Sequence, residues 1–332
     1  MSYRESLKRA MTETRAHKPK VSVLMITYNH EAFIGQAVES ALNQETDFSY
    51  EIVVGEDKST DGTREILLGY EARYPEKIHL VLHETNLGQG GKANFAETLW
   101  ECRGQYIALL EGDDYWISPY KLRKQVDFLE THAECASCFH PAQFVDEQGK
   151  TLPQVAGASQ AQRISTVEDL LITNFIPTAS VMFRANALRR LPDWFFTLLR
   201  GDWAIHVLVA KHGNIGRLDE NMSAYRYHQG GLWSSVNSEM QILDTIREYY
   251  YFNEYLNYRH SRLIRDLISR EYCILGGVYI LKREWFRAAE CLVRSFVKSP
   301  LNRRIHRTQL LSRLIMKGST ALSGLLSSSG AF

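Results

Sequence analysis

Residues 106–116 have the sequence YIALLEGDDYW, in which an apolar run of β-forming residues leads directly into three acidic side chains. A short continuous apolar run of this kind predicts a strand that is buried on both faces. Three similar runs precede it, at Val21–Thr27, Tyr50–Val54 and Ile78–Leu82. Stretches of helical periodicity separate the four predicted strands, at Glu31–Gln44, Thr63–Tyr74 and Lys92–Cys102. This alternation predicts a parallel sheet with right-handed crossovers.

The chain after Ser118 loses this regular alternation. The patterns predict helices at Tyr120–Thr131, Val167–Thr173 and Asp202–His212, strands at Ala136–Asp146 and Ala179–Phe183, a loop over 150–165 and extended chain over Ile215–Tyr227. Beyond residue 236 they predict helices at Met240–Leu256, His260–Val278, Glu284–Val297 and from Asn302 onward. The expected fold class is therefore α/β, a Rossmann-like mostly parallel sheet flanked by helices, with a C-terminal helical extension.

Composition excludes several classes of protein. The 332 residues carry 39 Lys and Arg against 38 Asp and Glu, so bulk charge gives no case for nucleic-acid binding. A hydrophobic content of 45% is too high for a disordered chain, and the length favours two domains. Five scattered cysteines favour a reducing compartment. Because neither a signal peptide nor a long apolar span is apparent, we expect a cytoplasmic location.

Acidic residues at two strand ends are the main chemical signal. The second predicted strand is followed by Glu56, Asp57 and Asp61, and the fourth by Glu111, Asp113 and Asp114. Parallel strands bring both groups to one edge of the sheet, where oxygen ligands suit Mg²⁺ or Mn²⁺ and a bound phosphate. The alternative is that these acids are turn residues and helix caps. Three acids at one strand end repel each other, and a cation is the simplest relief.

These segments carry a resemblance to a known family. VSVLMITYNHEAFIGQAVESALNQ, EIVVGEDKSTDGT and NLGQGGKANFAETLWECRGQYIALLEGDDYW, in this order, resemble the family 2 glycosyltransferases of the GT-A fold. The resemblance covers about residues 20–235. It implies an inverting, Mn²⁺- or Mg²⁺-dependent transfer of a sugar from a nucleotide-diphospho-sugar, expected to be a UDP-sugar. The implied acceptor is a glycan or lipid-linked hydroxyl in surface polysaccharide or lipopolysaccharide assembly.

The resemblance also implies a set of donor-binding residues. Thr27, Tyr28 and Asn29 would line the nucleotide pocket, with Glu31 and Asp57 at the base, and Asn86, Gly88, Lys92 and Asn94 along the ribose and phosphates. Glu111, Gly112 and Asp114 would contact the ribose, metal or donor sugar, Asp113 and His228 would bind the metal, and Arg226 the leaving phosphates. Glu111 departs from the Asp that the family usually has, which leaves its partner open.

A second part of the resemblance lies at Gly201-Asp202-Trp203. Family members have an acid here as general base, and a hydroxyl that attacks an anomeric carbon needs a base to take its proton. Asp202 is therefore the expected catalytic residue, and Trp203 suits packing against a sugar face. The alternative is that Asp202 caps the helix that begins there. We expect Cys135 and Cys138 to be packed thiols, and His30 to be a surface or core histidine.

Four regions follow from this: an N-terminal arm (1–19), a nucleotide-sugar-binding part (20–118), an acceptor-binding part (119–235) and a C-terminal helical region (236–332). The motif Gln-x-x-Arg-Trp of processive synthases is missing, which favours one sugar per encounter. A sugar nucleotidyltransferase is a second reading, although Thr27-Tyr28-Asn29-His30 lacks the glycine and basic residues of a phosphate loop. A third reading is a catalytically silent nucleotide-sugar-binding module.

The end of the chain is strongly basic. After Glu290 there are seven Lys and Arg residues and no Asp or Glu. Apolar residues lie between the basic ones, at Leu310, Leu311, Leu314 and Ile315. This pattern suits peripheral contact with an anionic membrane at its inner face, where a lipid-linked acceptor would be found. A solvated helix or an oligomer contact is the alternative.

Overall fold

The structure is a computed structural model that describes residues 18–157, 162–228 and 237–302. In chain order its strands are β1 (Val21–Thr27), β2 (Tyr50–Glu56), β3 (Ile78–Leu82), β4 (Tyr106–Glu111), β5 (Tyr115–Trp116), β6 (Cys135–Phe139), β7 (Ala142–Val145), β8 (Thr151–Ala156), β9 (Ile164–Ser165), β10 (Met182–Arg184), β11 (Asn214–Arg217) and β12 (Ser223–Arg226). Its α-helices are α1 (Ile34–Leu42), α2 (Thr63–Arg73), α3 (Lys92–Glu101), α4 (Lys121–Thr131), α5 (Val167–Ile172), α6 (Asp202–Ala210), α7 (Ser238–Tyr255), α8 (Ser261–Leu281) and α9 (Trp285–Lys298).

These elements form two compact units. The first contains the chain up to Ser165, together with Ile176–Phe196 and His212–His228. The second contains Thr166–Phe175, Thr197–Lys211 and the chain from Gln229 onward. The strands belong to the first unit, whereas the second is helical over its described residues.

The first unit is built on an eight-stranded sheet with the order β3-β2-β1-β4-β10-β6-β11-β9. The first four strands are parallel, as the alternating pattern predicted, and the apolar side chains of β1, β2 and β4 are buried. In the register of β1, Thr27 lies opposite Glu56 and Ile26 lies opposite Glu111. The ends of three strands therefore meet at one edge, and the acidic segments of β2 and β4 begin there.

A second sheet, with the order β5-β12-β7-β8, lies next to the end of β4 in the sequence and in space. β5 follows Asp114 directly, and β12 pairs with it through Ala224 and Tyr115. Because of this pairing, the end of β12 comes beside the acids of β4. Arg226 and His228 reach the strand-end edge for this reason.

Three predictions in the middle of the first unit differ from the structure. Residues 136–146 form two strands in different sheets, because Pro141 has no N–H to continue a ladder and the chain changes direction there. The predicted loop over 150–165 contains β8, whose residues are mostly exposed and leave a weak apolar signal, and β9, which has only two residues. The strand predicted at Ala179–Phe183 begins later, at Met182, after one 3₁₀ turn at Thr178–Ser180.

The second unit contains the predicted C-terminal helices. α8 is buried over most of its length and packs against both α7 and α9. None of the helices within the described residues is long and apolar enough to cross a membrane. The predicted N-terminal arm up to residue 17 and the basic tail from Arg303 onward lie outside the described residues.

Candidate active site

The loop after β1 is tied to the loop after β2 by Asn29. Its backbone has φ +56°, a left-handed conformation that Asn adopts more readily than most residues. The Asn29 N–H donates to Ser59 Oγ at 2.9 Å, and Asn29 Oδ1 accepts from the Thr60 N–H at 2.8 Å. The side chain that was predicted to line the nucleotide pocket is thus engaged in joining the two loops.

Gly112 brings the loop after β4 close to the end of β1. A Cβ atom on Gly112 would lie 2.6 Å from Thr27 Oγ1 and 2.9 Å from His30 Nδ1. Thr27 itself is 3% exposed, and its Oγ1 lies 3.2 Å from His30 Nδ1. Only glycine fits this approach, which places the next residue, Asp113, beside the histidine.

Asp113 lies between two histidines. Its Oδ2 is 2.9 Å from His228 Nε2 and 3.8 Å from His30 Nε2. The hydrogen bond with Asp113 raises the pKa of His228, whereas burial lowers the pKa of His30. Burial alone would raise the pKa of Asp113, but the hydrogen bond from His228 and the charges of both histidines outweigh it and lower that pKa. Asp113 is therefore an ionised carboxylate next to a basic imidazole.

Asp114 has the opposite character. It is 2% exposed, its Oδ1 accepts the Arg226 N–H at 2.8 Å, and its Oδ2 is buried with no hydrogen-bond partner among the described residues. Burial and the nearby charges of Asp113 and Glu111 raise its pKa well above the usual range. Of the two adjacent acids, Asp113 thus favours its charged form and Asp114 favours its protonated form.

The side chain of Arg226 connects three separate segments of the chain. Its Nε donates to the Asp113 carbonyl oxygen at 2.9 Å, Nη1 to the Glu147 carbonyl oxygen at 2.8 Å, and Nη2 to Gln36 Oε1 at 2.7 Å. The guanidinium also stacks over two aromatic rings and is 5% exposed. The prediction that Arg226 reaches the leaving phosphates does not agree with these contacts, because its N–H groups already bind the loop of the acids.

Asp57 has one oxygen available for a ligand. Its Oδ1 accepts the Leu87 N–H at 2.7 Å, and Asn86 Nδ2 donates to the Asp57 carbonyl oxygen at 2.9 Å. No group among the described residues donates to its Oδ2. Burial raises the pKa of Asp57, so a hydrogen-bond donor from a nucleotide base would be favoured at this position. The hydrogen bonds of Asp57 with Leu87 and Asn86 hold the segment after β3 to the end of β2.

Two of the predicted donor-binding residues lie deeper than expected. Asn94 is 1% exposed, with Nδ2 donating to the Gly55 carbonyl oxygen at 2.9 Å and Oδ1 lying 3.0 Å from His83 Nε2. Lys92 is 4% exposed and its Nζ donates to the Gln89 carbonyl oxygen. Asn94 holds α3 to β2, and Lys92 bonds to the loop that leads into α3, so direct contact with ribose or phosphate has no support in their placement.

The remaining predicted residues lie at the surface of the same edge. Tyr28 is 42% exposed and offers an aromatic face to a ligand. The Glu31 N–H donates to Asp61 Oδ2 at 3.1 Å, and a Cβ atom on Gly62 would lie 2.5 Å from Glu31 Oε1. Glu111 is half-buried at the end of β4. Gly88 has φ +64°, which turns the chain just before α3.

In the second unit, Asp202 is the first residue of α6. The N-cap position is Gly201, and no side chain caps this helix, so the alternative role of Asp202 as a cap is wrong. Asn174 Nδ2 instead donates to Asp202 Oδ2 at 2.9 Å. Trp203 is 3% exposed and packs against Tyr249, so it belongs to the core of this unit and not to a sugar-binding face.

Buried charges hold the segment just before Asp202. The Leu199 N–H donates to Asp244 Oδ2 at 2.9 Å, and Arg200 Nη2 lies 3.4 Å from Glu248 Oε2. Burial raises the pKa of Glu248 to about 8 despite the charge of Arg200. These contacts attach the entry of α6 to α7 and fix where Asp202 begins its helix.

The residues present fit a divalent cation only as a site with two protein ligands. Among the described residues no group of three or more His, Cys, Asp and Glu side chains is arranged to enclose a metal. Asp113 and His228 nevertheless place an ionised oxygen and an imidazole nitrogen 2.9 Å apart. Mg²⁺ and related ions commonly take one or two protein ligands and complete their shell with phosphates and water. This donor pair fits that mode.

Sequence reasoning missed three contributors to these sites. His30 was expected to be an ordinary histidine, but it lies beside Asp113. Its position three residues after the end of β1 was an available signal, because every residue at that edge is a candidate. Gln36 and Asn174 had no such signal, since an amide on a helix or in a loop is usually solvated.

Comparison with known sequences identifies the family. The family described as "Glycosyl transferase family 2" matches residues 22–191. The chain belongs to glycosyl transferase family 2. This confirms the resemblance carried by the strand-end motifs. The matched region contains the acidic segments after β2 and β4 and ends before Asp202.

Two relatives show how far this likeness extends. The uncharacterized protein Rv1520 of Mycobacterium tuberculosis is 39% identical over 219 residues, which are 66% of this chain and 62% of that protein. The chain thus spans less than two thirds of the length of this relative. The putative teichuronic acid biosynthesis glycosyltransferase TuaG of Bacillus subtilis is 35% identical over 165 residues, or 50% of this chain and 62% of TuaG.

Solved structures confirm the predicted fold class. The crystal structure of S. aureus TarS 1-349 in complex with UDP-GlcNAc has a TM-score of 0.53 at 20% identity, over 93% of this chain and 81% of TarS. The mannosyltransferase PcManGT from Pyrobaculum calidifontis, in complex with GDP-Man and Mn²⁺, has a TM-score of 0.55 at 12% identity, over 98% and 92% of the two chains. At 20% and 12% identity, these likenesses show that this chain has the same fold as TarS and PcManGT.

Proposed function

We propose that this protein is an inverting glycosyltransferase that transfers one sugar from a UDP-sugar to a hydroxyl group of a glycan or lipid-linked acceptor in surface polysaccharide assembly. Membership of glycosyl transferase family 2 and the likeness to TuaG support the class and the setting. The observation that carries the proposal is the ionised carboxylate of Asp113, held 2.9 Å from His228 at the edge where parallel strands end.

The donor would lie across this edge. The exposed ring of Tyr28 offers a stacking surface, and the second oxygen of Asp57 can accept the N–H of a uracil base. TarS binds UDP-GlcNAc and PcManGT binds GDP-Man, so the same fold accommodates both nucleotides. A single carboxylate oxygen at the base suits the one N–H that uracil presents, and on this ground we assign UDP.

Asp113 and His228 would hold Mn²⁺ or Mg²⁺ together with the donor diphosphate. A divalent ion in this position neutralises charge on the leaving nucleoside diphosphate. Arg226 contributes indirectly, because its Nε donates to the Asp113 carbonyl oxygen and its backbone N–H donates to Asp114 Oδ1.

Asp202 is assigned as the general base. Its carboxylate takes the proton of the acceptor hydroxyl while that oxygen forms a bond to the anomeric carbon. The bond between the anomeric carbon and the diphosphate oxygen breaks, and its electron pair leaves with the nucleoside diphosphate. Attack opposite the leaving group inverts the configuration. Asn174 Nδ2 donates to one oxygen of Asp202, and we assign the other oxygen to the acceptor hydroxyl.

The site of action follows from the acceptor. If the acceptor is lipid-linked, the enzyme must work at a membrane surface, and a nucleotide-sugar donor is a cytoplasmic metabolite. We therefore place the protein in the cytoplasm, peripherally at the inner face of the membrane. The basic tail from Arg303 onward would contribute electrostatic contact with anionic lipid.

A release assay tests this function. UDP-sugars and GDP-sugars are incubated with the full chain, with and without Mn²⁺, and nucleoside diphosphate is measured. We expect release from a UDP-sugar that depends on Mn²⁺ and is lost in Asp113→Asn. Asp202→Asn should keep donor binding and lose at least about a hundredfold in transfer to an acceptor, the usual scale of a general base. Asp127→Asn, an exposed acid on α4, is the matched control.

Three results would overturn the proposal. Synthesis of a nucleotide-sugar from a nucleoside triphosphate and a sugar phosphate would assign a nucleotidyltransferase. Tight binding of a UDP-sugar without any turnover would assign a silent binding module. A product that retains the anomeric configuration, measured by proton NMR, would remove Asp202 from its role as base.

A further inference from the structure

Helix α9 has an apolar face that its neighbour does not cover. Ala288, Cys291 and Ser295 are buried on the side that packs against α8. The adjoining side exposes Trp285 (63%), Phe286 (94%), Val293 (61%) and Val297 (70%). At about 100° per residue, these four side chains fall within about 120° of the helix circumference. We call them the α9 apolar face; Leu301, 90% exposed, follows just after the helix.

This arrangement is costly for a surface that meets only water. Single exposed apolar residues are ordinary, but a contiguous set on successive turns marks a surface that meets another apolar phase. Two of the four side chains are aromatic, and Trp and Phe are residue types found on the apolar face of helices that lie at a lipid surface. We therefore expect another apolar surface to cover the α9 apolar face.

The charge around the face indicates which occupant. Residues 282–302 contain five basic and two acidic side chains. Both acids are already paired, Glu284 with Arg287 at 3.0 Å and Glu290 with Arg294 at 2.6 Å. Lys282 is paired as well, with Glu239 of α7 at 2.6 Å. Arg283 and Lys298 remain as a positive surplus, and the sequence adds five more basic residues and no acid after Asn302. An occupant that lies along this helix must combine apolar and anionic chemistry.

We propose that the α9 apolar face docks on an anionic lipid surface. An amphipathic helix with aromatic residues on its apolar face and a basic rim lies in the boundary between headgroups and acyl chains, and it binds anionic lipid preferentially. A second copy of this chain would bring two positive rims together, and residues 303–332 are themselves basic, so both fit less well. The inference rests on the proposed function, because a lipid-linked acceptor gives this face its use.

Vesicle flotation tests the proposal with the full chain and without donor or acceptor. The probes are vesicles of phosphatidylcholine alone and of phosphatidylcholine mixed with phosphatidylglycerol. We expect the protein to bind the mixed vesicles and to bind the neutral ones much less. In Phe286→Ser/Val297→Ser the binding constant for mixed vesicles should fall about tenfold or more, since two apolar side chains are withdrawn from the acyl boundary.

A matched control isolates the face. Trp100→Ser removes a side chain that is 79% exposed on α3, in the other unit, and should leave vesicle binding unchanged. Both serine variants should melt at the temperature of the wild type because the altered side chains contact mainly solvent. Nucleotide release from a UDP-sugar with a soluble acceptor should also persist in the double variant, which separates this inference from the catalytic assignment.

Three outcomes would overturn the lipid assignment. The first is equal binding of the double variant and the wild type to mixed vesicles. The second is equal binding of the wild type to neutral and anionic vesicles. The third is a wild type that ignores vesicles but forms a dimer, by light scattering, which the double variant dissolves; this would assign the face to a second copy.

Discussion

Gly112 has a hydrogen atom where other residues have a Cβ, and this lets the loop that carries Asp113 and Asp114 lie close to the end of β1. The Cβ of any other residue would lie 2.6 Å from Thr27 Oγ1 and 2.9 Å from His30 Nδ1, closer than such atoms approach. The neighbours are a buried threonine at the end of β1 and a histidine beside Asp113, neither of which is a flexible chain end. The absence of a side chain at this position therefore sets the distance between the acid loop and the β1 loop.

We expect Gly112→Ala to lower the free energy of unfolding by about 1–3 kcal/mol, because one of the two loops must shift. Metal-dependent nucleotide release should fall with it, since Asp113 moves away from His228. Gly69→Ala is the control, because a Cβ atom there has no neighbour within 4 Å in the middle of α2. That change should stabilise the protein by up to about 1 kcal/mol. Equal stability of the two variants would contradict the argument.

Arg226 shows how one side chain can be required for a site without touching the substrate. Lysine keeps the charge but cannot reach the Glu147 carbonyl oxygen and Gln36 Oε1 together. We expect Arg226→Lys to lose about 2–4 kcal/mol of stability and to weaken Mn²⁺-dependent release. Chemical denaturation and the Mn²⁺ titration of release measure the two effects. Arg123→Lys, on the exposed side of α4, should change neither.

Residue roles were predictable from the sequence where chemistry and strand ends coincide. Asp113 and His228 were assigned to one site from their motifs, and the structure places them in contact. Asn94 and Arg226 were assigned to the donor, whereas both are buried with their polar groups occupied. A sequence motif reports that a residue type is needed at a position. It does not report whether the ligand or the neighbouring backbone uses its hydrogen bonds.

At the scale of elements, α4 is anchored by a buried lysine. Lys121 has no exposed surface; its Nζ donates to Gln125 Oε1 at 2.7 Å and lies 4.2 Å from the centre of the Trp116 ring. Burial lowers the pKa of Lys121 to about 7. Because the unfolded chain holds this proton up to pH ~10.5, the protein loses stability as the pH falls from about 10 to about 7.

Lys121→Met should remove this part of the pH dependence. At pH 7 we expect the variant to be more stable than the wild type by roughly 2–4 kcal/mol, because no proton must be released and the side-chain volume is kept. The difference should shrink as the pH rises and vanish only above pH ~11, where lysine is neutral in both states. Urea denaturation across this pH range measures it, with the exposed Lys124→Met as control. Parallel profiles of the wild type and Lys121→Met would contradict the buried-lysine argument.

Element bounds were predictable where a strand or helix is buried on a regular face. β1 and β3 have the predicted limits, and α2 and α3 agree to one residue. The prediction failed at His140-Pro141, where one apolar stretch divides between two sheets, and at β8, whose residues are mostly exposed. Pairing in a small edge sheet depends on partners distant in sequence, so a local pattern cannot specify it.

At the scale of the whole molecule, ligand binding should report on the strand-end site alone. A UDP-sugar with Mn²⁺ at about 100 times its dissociation constant should stabilise the protein by about 2.7 kcal/mol and raise its melting temperature by a few degrees. Asp113→Asn should abolish the increase and Asp202→Asn should keep it. A melting temperature that rises equally in both variants would place the donor elsewhere.

The pairing of β4 has a consequence for the synthesis of the chain. β4 lies between β1 and the antiparallel β10, in which Met182 lies opposite Ala108. At roughly 5–20 residues per second, the ribosome releases β10 several seconds after β4. During that interval a nascent four-stranded sheet displays the unpaired backbone of an apolar strand, which invites pairing with a neighbouring chain. The yield of soluble protein should thus depend on how closely nascent chains are spaced on one messenger RNA, as well as on the stability of the finished fold.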